Sequence, residues 1–358
     1  MRGRITTRGG LFPPRPRDLG SRKRRRRGRR PQPDSGWGRG ARLTWAATVG
    51  AAVIVAAAIT LAIILPGKSA SDGSVDPDAP TSAAHPPPPG SYLGIYEPGV
   101  PESYARVKAF SAATGVRPSV VVYYSGWLEK FQARFANVAV KHNAAPLIQI
   151  NPEGIKLGAI VSGHYDPYLR SYASAVRTFG RHVIISFGHE MNGSWYSWGY
   201  RHTAPAVFVA AWRHIVTVFR QEGADNVTWL WTINISECSC HIDSPDPWWP
   251  GSSYVNWVGI DGYYYRPSWT FASLFGPTIK AVRALTLDPI LISETAAPAS
   301  IQPAKIPDLF RGIRAYGLLG LVWFDVNKGH PYEDWRIGSP AAFTAFRRGA
   351  EMLKRSAP

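Results

Sequence analysis

Residues 91–358 predict an α/β fold of the (β/α)8 TIM-barrel type, and three observations support it. Eight short apolar runs recur along this stretch, most of them continuous rather than alternating, as strands covered on both faces require. Longer amphipathic segments separate them. The stretch is also of a length that one such barrel uses. An open doubly wound sheet is the alternative, but it needs a Gly-rich phosphate turn after its first strand, and "GIYEPGVPES" supplies none.

The elements are expected in strict alternation. Strands fall at 91–96, 119–124, 145–151, 182–188, 226–234, 256–264, 289–294 and 319–325, each rich in Val, Ile, Leu or aromatic residues. Helices suit 101–114, 127–141, 166–180, 204–222, 271–285 and 303–316, with 339–355 as the closing helix. The connection 235–254 is full of Pro, Ser and Trp and reads as a long loop.

Ahead of the barrel the composition changes twice. Fifteen of the 41 Lys and Arg residues and only two acids lie in residues 1–42, so this tail holds most of the net charge of +17. The rest of the chain is nearly balanced, which argues against a nucleic-acid-binding core. Residues 43–66, "LTWAATVGAAVIVAAAITLAIILP", carry no charge and are long enough to cross a bilayer as a helix. A basic block on one flank makes 1–42 the cytoplasmic side and the barrel extracellular, tethered by a single pass to the cell membrane. The alternative is a cleaved signal peptide, for which the apolar run is long. Residues 67–90, rich in Pro, Ser, Ala and Asp, are a spacer with too little apolar surface to fold.

Cys238 and Cys240 are the whole cysteine complement, too few for a disulfide framework. Together with His241 they fall short of a metal site. "HEMNGS" also lacks the second His that an H-E-x-x-H zinc motif needs.

Chemistry on a barrel of this kind sits at the carboxyl ends of the strands. The fourth expected strand ends at His189-Glu190 and the seventh at Glu294, two carboxylates facing each other across one mouth. Retaining glycoside hydrolysis uses such a pair: one carboxyl protonates the leaving oxygen and later activates water, and the other attacks the anomeric carbon. Glu190, beside His189 and several rings, suits the acid. Glu294, with Tyr263 as a donor that would hold it ionised, suits the nucleophile. No cofactor is called for, because two carboxylates suffice. Trp195, Trp198, Trp231, Trp248, Trp249 and Trp323 fall at or beyond strand ends, where flat rings can stack on sugars; Trp323 is the first choice of platform, then Trp195 and Trp198. Gly193 and Gly199 would let the loop after Glu190 fold tightly.

"GHEMNGSWYSWG" resembles the acid/base motif of glycoside hydrolase family 26, whose members are mainly β-mannanases with some β-1,3-1,4-glucanases and xylanases. "YVNWVGIDGYYY", "ISETAAP" and "LVWFDVNKGHPYEDWRIGSP" resemble later blocks of that family, in its order. With the uncharged run 43–66 read as an anchor, the chain is identified as a membrane-anchored bacterial member of that family. Glu190 would be its acid/base and Glu294 its nucleophile, with His189, Asn192, Trp195, Trp198, Tyr263 and Trp323 contacting substrate. The "IDG" at 260–262 and the loop 235–254 would shape distal subsites. One departure is Ser186-Phe187-Gly188, where many members carry an Arg-Pro pair. The expected function is therefore endo-hydrolysis of a β-1,4-mannan-type polysaccharide. A β-1,3-1,4-glucan or the cell's own exopolysaccharide is the alternative substrate, and a non-catalytic polysaccharide-binding barrel is the alternative of another class.

Overall fold

A computed structural model of the chain describes Gly90 and residues 92–235, 244–329 and 333–354. The expected cytoplasmic tail, membrane span and all of the spacer but Gly90 lie outside the described residues, as do Cys238 and Cys240. Among the described residues no helix is long and apolar enough to cross a membrane.

Eight parallel strands close a barrel in sequence order, each hydrogen-bonded to the next and the last to the first. They are β1 (Tyr92–Tyr96), β2 (Val120–Gly126), β3 (Ala145–Asn151), β4 (Val183–Phe187), β5 (Val227–Asn234), β6 (Trp257–Asp261), β7 (Ile290–Thr295) and β8 (Gly320–Phe324). Helices α1 (Ala105–Thr114), α2 (Ala133–Lys141), α4 (Asp166–Phe179), α5 (Pro205–Gln221), α6 (Phe271–Leu285), α7 (Gln302–Ala315) and α8 (Pro340–Lys354) occupy the expected connections. A further helix, α3 (Leu157–Val161), and a 3-10 turn at Asp246–Trp248 were not expected, both being too short to show a period. Strand β6 stops at Asp261, three residues before the expected end, where its pairing with β7 slips register.

Helix ends follow local chemistry. α6 starts with a capping box, Thr270 Oγ1 accepting from the Ser273 amide and Ser273 Oγ accepting from the Thr270 amide. α4 opens on Asp166 and Pro167 and closes at Gly180, whose left-handed backbone lets its amide reach the Val176 carbonyl.

The barrel interior is layered. Val120, Val122, Leu147, Ile184, Leu230, Leu291 and Val322 fill it, and Tyr92 against Trp257 closes the amino-terminal end. Strand side chains alternate faces, so the next inward positions on β3, β4, β5 and β7 are Gln149, Ser186, Thr232 and Ser293, all fully buried and polar. Above that polar layer lies the carboxyl-end mouth. The residues that alternate with these, Ile95, Val121, Ile148, Ile185 and Trp323 among them, face outward and pack under the helices.

Candidate active site

Glu190 and Glu294 sit at the ends of β4 and β7 and are buried. They are close enough for the Glu294 charge to raise the cost of ionising Glu190. Glu190 takes a left-handed backbone, φ 54°, rare for a residue with a Cβ. The turn is held by the Glu190 amide donating to the Thr232 carbonyl at 2.9 Å and the Gly193 amide donating back to the Glu190 carbonyl at 2.9 Å. Gly193 has no room for a side chain, because a Cβ there would meet the Trp195 ring at 2.2 Å. At Gly199 a Cβ would meet the Gly193 carbonyl at 2.4 Å. Both glycines thus serve close approach, as expected.

The Glu190 carboxylate has two donors. Trp195 Nε1 donates to Oε2 at 2.8 Å, and Asn234 Nδ2 donates to Oε1. Burial pushes Glu190 up to about 7; the charge of Glu294 adds to that, while Asn234, Trp195 and the Lys328 ammonium oppose it. Glu294 accepts from two phenols, Tyr263 at 2.6 Å and Tyr124. Burial still raises its pKa above the ordinary value, with Tyr124, Tyr263 and Lys328 pulling down. The expected Tyr263 donor is in place, Tyr124 is a second, and both favour the ionised carboxylate against its burial.

Rings wall the mouth. Tyr96 stacks on Phe324 with centroids 4.5 Å apart and meets Tyr124 edge-on at 5.2 Å. Trp335 stacks on Tyr263 at 4.3 Å, and the Lys328 ammonium lies over Trp335 at 4.8 Å. His189 is buried with Nε2 bonded to the Tyr196 hydroxyl at 3.2 Å, and burial lowers it to about 3, so the ring is neutral.

Three expected sugar contacts are corrected by this geometry. Trp323 is fully buried on the outward face of β8, against Phe346 of α8, its Nε1 donating to the Trp335 carbonyl at 3.0 Å. Its neighbours Val322 and Phe324 have the inward parity; Trp323 does not. Trp198 is also buried. It stacks flat behind Tyr196 at 4.3 Å and donates to the His189 carbonyl at 2.9 Å. Asn192 is spent on the backbone of β5, donating to the Asn234 carbonyl at 2.7 Å and accepting the Asn234 amide at 2.9 Å. Trp231 and Trp248 are likewise buried. Of the expected tryptophans, Trp195 alone combines a contact to a site carboxylate with an exposed ring, 42% accessible.

The "IDG" at 260–262 was expected to help shape distal subsites; its Asp261 is fully buried, pairs in register with Glu294, and accepts from Ser293 Oγ at 2.6 Å. Burial, then the charges of Glu294 and Glu190, raise its pKa well above the usual carboxylate range. Sequence reading also missed Tyr124, Asn234, Tyr196, Lys328 and Trp335. The signal for Tyr124 and Asn234 was present, since both share inward parity with interior residues two positions earlier, Val122 and Thr232. Among the described residues no group of three His, Cys, Asp or Glu is placed to hold a metal ion.

Comparisons with known proteins agree with this geometry. Residues 176–336 match the model of glycosyl hydrolase family 26. Endoglucanase H of Acetivibrio thermocellus is 30% identical over 268 residues, covering 70% of this chain and 29% of that protein. Mannan endo-1,4-beta-mannosidase A and B of Caldalkalibacillus mannanilyticus is 29% identical over 86 residues, 22% of this chain and 16% of that protein. The chain thus spans less than a third of the length of either relative. In fold, it is similar to the catalytic domain of a Bacillus endo-beta-1,4-mannanase, with a TM-score of 0.58 at 16% identity over 74% of this chain and 88% of the other. It is similar too to an endo-beta-1,4-mannanase of Cellulomonas fimi, with a TM-score of 0.56 at 15% identity over 73% and 71%. The match to that family model over 176–336 contains β4 to β8, both glutamates, and Tyr263, Phe324 and Trp335 of the aromatic wall.

Proposed function

We propose that the chain is a retaining endo-β-glycanase in which Glu190 is the acid/base and Glu294 the nucleophile. The observation that carries this reading is the pair itself. Two buried carboxyls lie at facing strand ends, one raised to about 7 and the other gripped by two phenols. Protonated Glu190 would give its proton to the glycosidic oxygen while a Glu294 oxygen attacks the anomeric carbon and the bond to the leaving sugar breaks. Glu190, now ionised, then takes a proton from water, which displaces Glu294 and regenerates the starting state. Tyr124 and Tyr263 would orient the attacking carboxylate. Neutral His189, Trp195 and the Tyr96–Phe324 wall would line the sugar site.

β-1,4-Mannan is the first substrate, on the family resemblance and the mannosidase relative. A β-glucan is the second, favoured by the longer match to an endoglucanase. The apolar run 43–66 would tether the barrel outside the cell, a reading that rests on sequence only. The test is release of reducing ends by the full chain from galactomannan, glucomannan, lichenan, xylan and laminarin, with the anomer of the first product followed by NMR. Release lost in Glu294→Ala, with the β-anomer formed first, supports the reading. A folded wild-type chain that binds these polymers and cleaves none would make it a binding barrel.

A further inference from the structure

The loop from β6 to α6 holds an exposed aromatic that the cleavage chemistry does not use. Tyr265 is 42% accessible, and among the described residues the other exposed large rings are Trp195 and Tyr316. Its ring lies 6.3 Å from Tyr263 and 6.5 Å from Trp335, the two rings stacked beside Glu294. Trp269 also meets it edge-on at 6.4 Å, and the Arg266 guanidinium lies over Trp269 at 5.3 Å. A row of rings therefore runs outward from the candidate nucleophile, from Trp335 and Tyr263 to Tyr265 and Trp269.

That loop is held unusually firmly for a surface segment. Lys305, a buried lysine on α7, donates to the Pro267 carbonyl at 2.6 Å and to the Trp269 carbonyl. Asp308, one turn further along α7, accepts from the Phe271 amide at 2.6 Å and from the Tyr264 hydroxyl at 3.3 Å. Burying an ammonium to grip two carbonyls is costly unless its donors are well used. Here the grip fixes the backbone between Tyr265 and Trp269. A rigid, half-exposed ring loses little entropy on contact and offers a flat face, which is what stacking on a pyranose requires.

We infer that Tyr265, backed by Trp269 and positioned through Lys305, is a sugar-stacking subsite one or more residues away from the cleavage point, taking a β-linked hexopyranose of the same polymer. This rests on the proposed glycanase function, and the test separates the two. Binding of a hexasaccharide of the preferred polymer is measured by calorimetry on the full chain carrying Glu294→Gln, with and without Tyr265→Ala. In the otherwise wild-type chain, the ratio of kcat/KM on the hexasaccharide to that on a chromogenic disaccharide is compared with the same ratio in Tyr265→Ala, Tyr265→Trp and Lys305→Met.

The expected result is hexasaccharide binding weakened about tenfold and the long-to-short ratio lowered by a similar factor in Tyr265→Ala, with Tyr265→Trp restoring both. Lys305→Met is expected to lower the same ratio with the fold intact by circular dichroism. Unchanged hexasaccharide binding in Tyr265→Ala, on a chain that still binds through its other rings, overturns the inference whatever the activity. A chain that cleaves nothing but binds the hexasaccharide through Tyr265 keeps the subsite and sinks the glycanase reading instead.

Discussion

Asn192 and Asn234 clasp each other across 42 residues of sequence, the Asn192 side chain donating to the Asn234 carbonyl at 2.7 Å and accepting its amide at 2.9 Å. The clasp fixes the end of β5, and the Asn234 side chain donates to Glu190. Asn192 thus acts on the site through Asn234, and its substitution by Ala is expected to disturb the acid rather than substrate affinity.

The loss of the acid itself should depend on the leaving group. Glu190→Gln is expected to lower kcat/KM on the polymer by roughly 10²–10⁴. An aryl glycoside with an acidic phenol needs no proton to leave and should lose much less in the first step. Initial rates on the two substrate types decide it; equal losses would remove Glu190 from the acid role.

The pH profile follows from the same group. Glu190 must be protonated to act as an acid, and burial places its pKa at about 7, so kcat/KM should fall as pH rises through that value. Asn234 stabilises the charged form, so Asn234→Ala should move this alkaline limb to higher pH. A limb that moves down or stays would show that Asn234 does not act on Glu190.

On the acid side the two phenols are the handle. Tyr124 and Tyr263 both favour ionised Glu294, against its burial. Tyr124→Phe and Tyr263→Phe should each raise the Glu294 pKa, shift the acid limb of kcat/KM upward and lower kcat. A pH titration of each variant, alone and combined, measures the shift.

A separate carboxyl pair sets a stability prediction. Glu97, just past β1, and Asp325, just past β8, are buried and hydrogen-bonded to each other, and Asp325 also accepts the Ile337 amide at 2.6 Å. Burial first and then Asp325 push Glu97 up to about 9, with only Arg106 opposing. The folded pKa exceeds the unfolded one, so this contribution is present below pH 4.5 and is lost as pH rises towards 9. The unfolding midpoint should fall across that window, and Glu97→Gln should flatten the fall.

Trp323 gives the opposite kind of test. As a core ring under α8, Trp323→Ala is expected to cost about 3–5 kcal/mol of stability. A sugar platform would instead show an unchanged denaturation midpoint and a raised KM.

What the sequence by itself determined was the barrel and the carboxylate pair. Continuous apolar runs are a local property, set by what two covered faces demand, and eight of them in alternation with amphipathic helices leave little other topology. The strand ends then marked His189-Glu190 and Glu294, and Tyr263 followed from β6. The inward parity of Tyr124, Asn234 and Phe324, and the outward parity of Trp323, were also legible, because side chains alternate with period two and Val122, Thr232 and Val322 anchor the count. Tertiary structure alone decided the rest. Trp335 reaches Tyr263 because the segment after β8 folds back over the mouth, its Trp335 amide donating to the Val326 carbonyl at 2.8 Å. The register between β6 and β7 slips beside Asp261 and sets it against Glu294. Those placements come from long-range pairing and loop closure, for which one-dimensional spacing carries no signal.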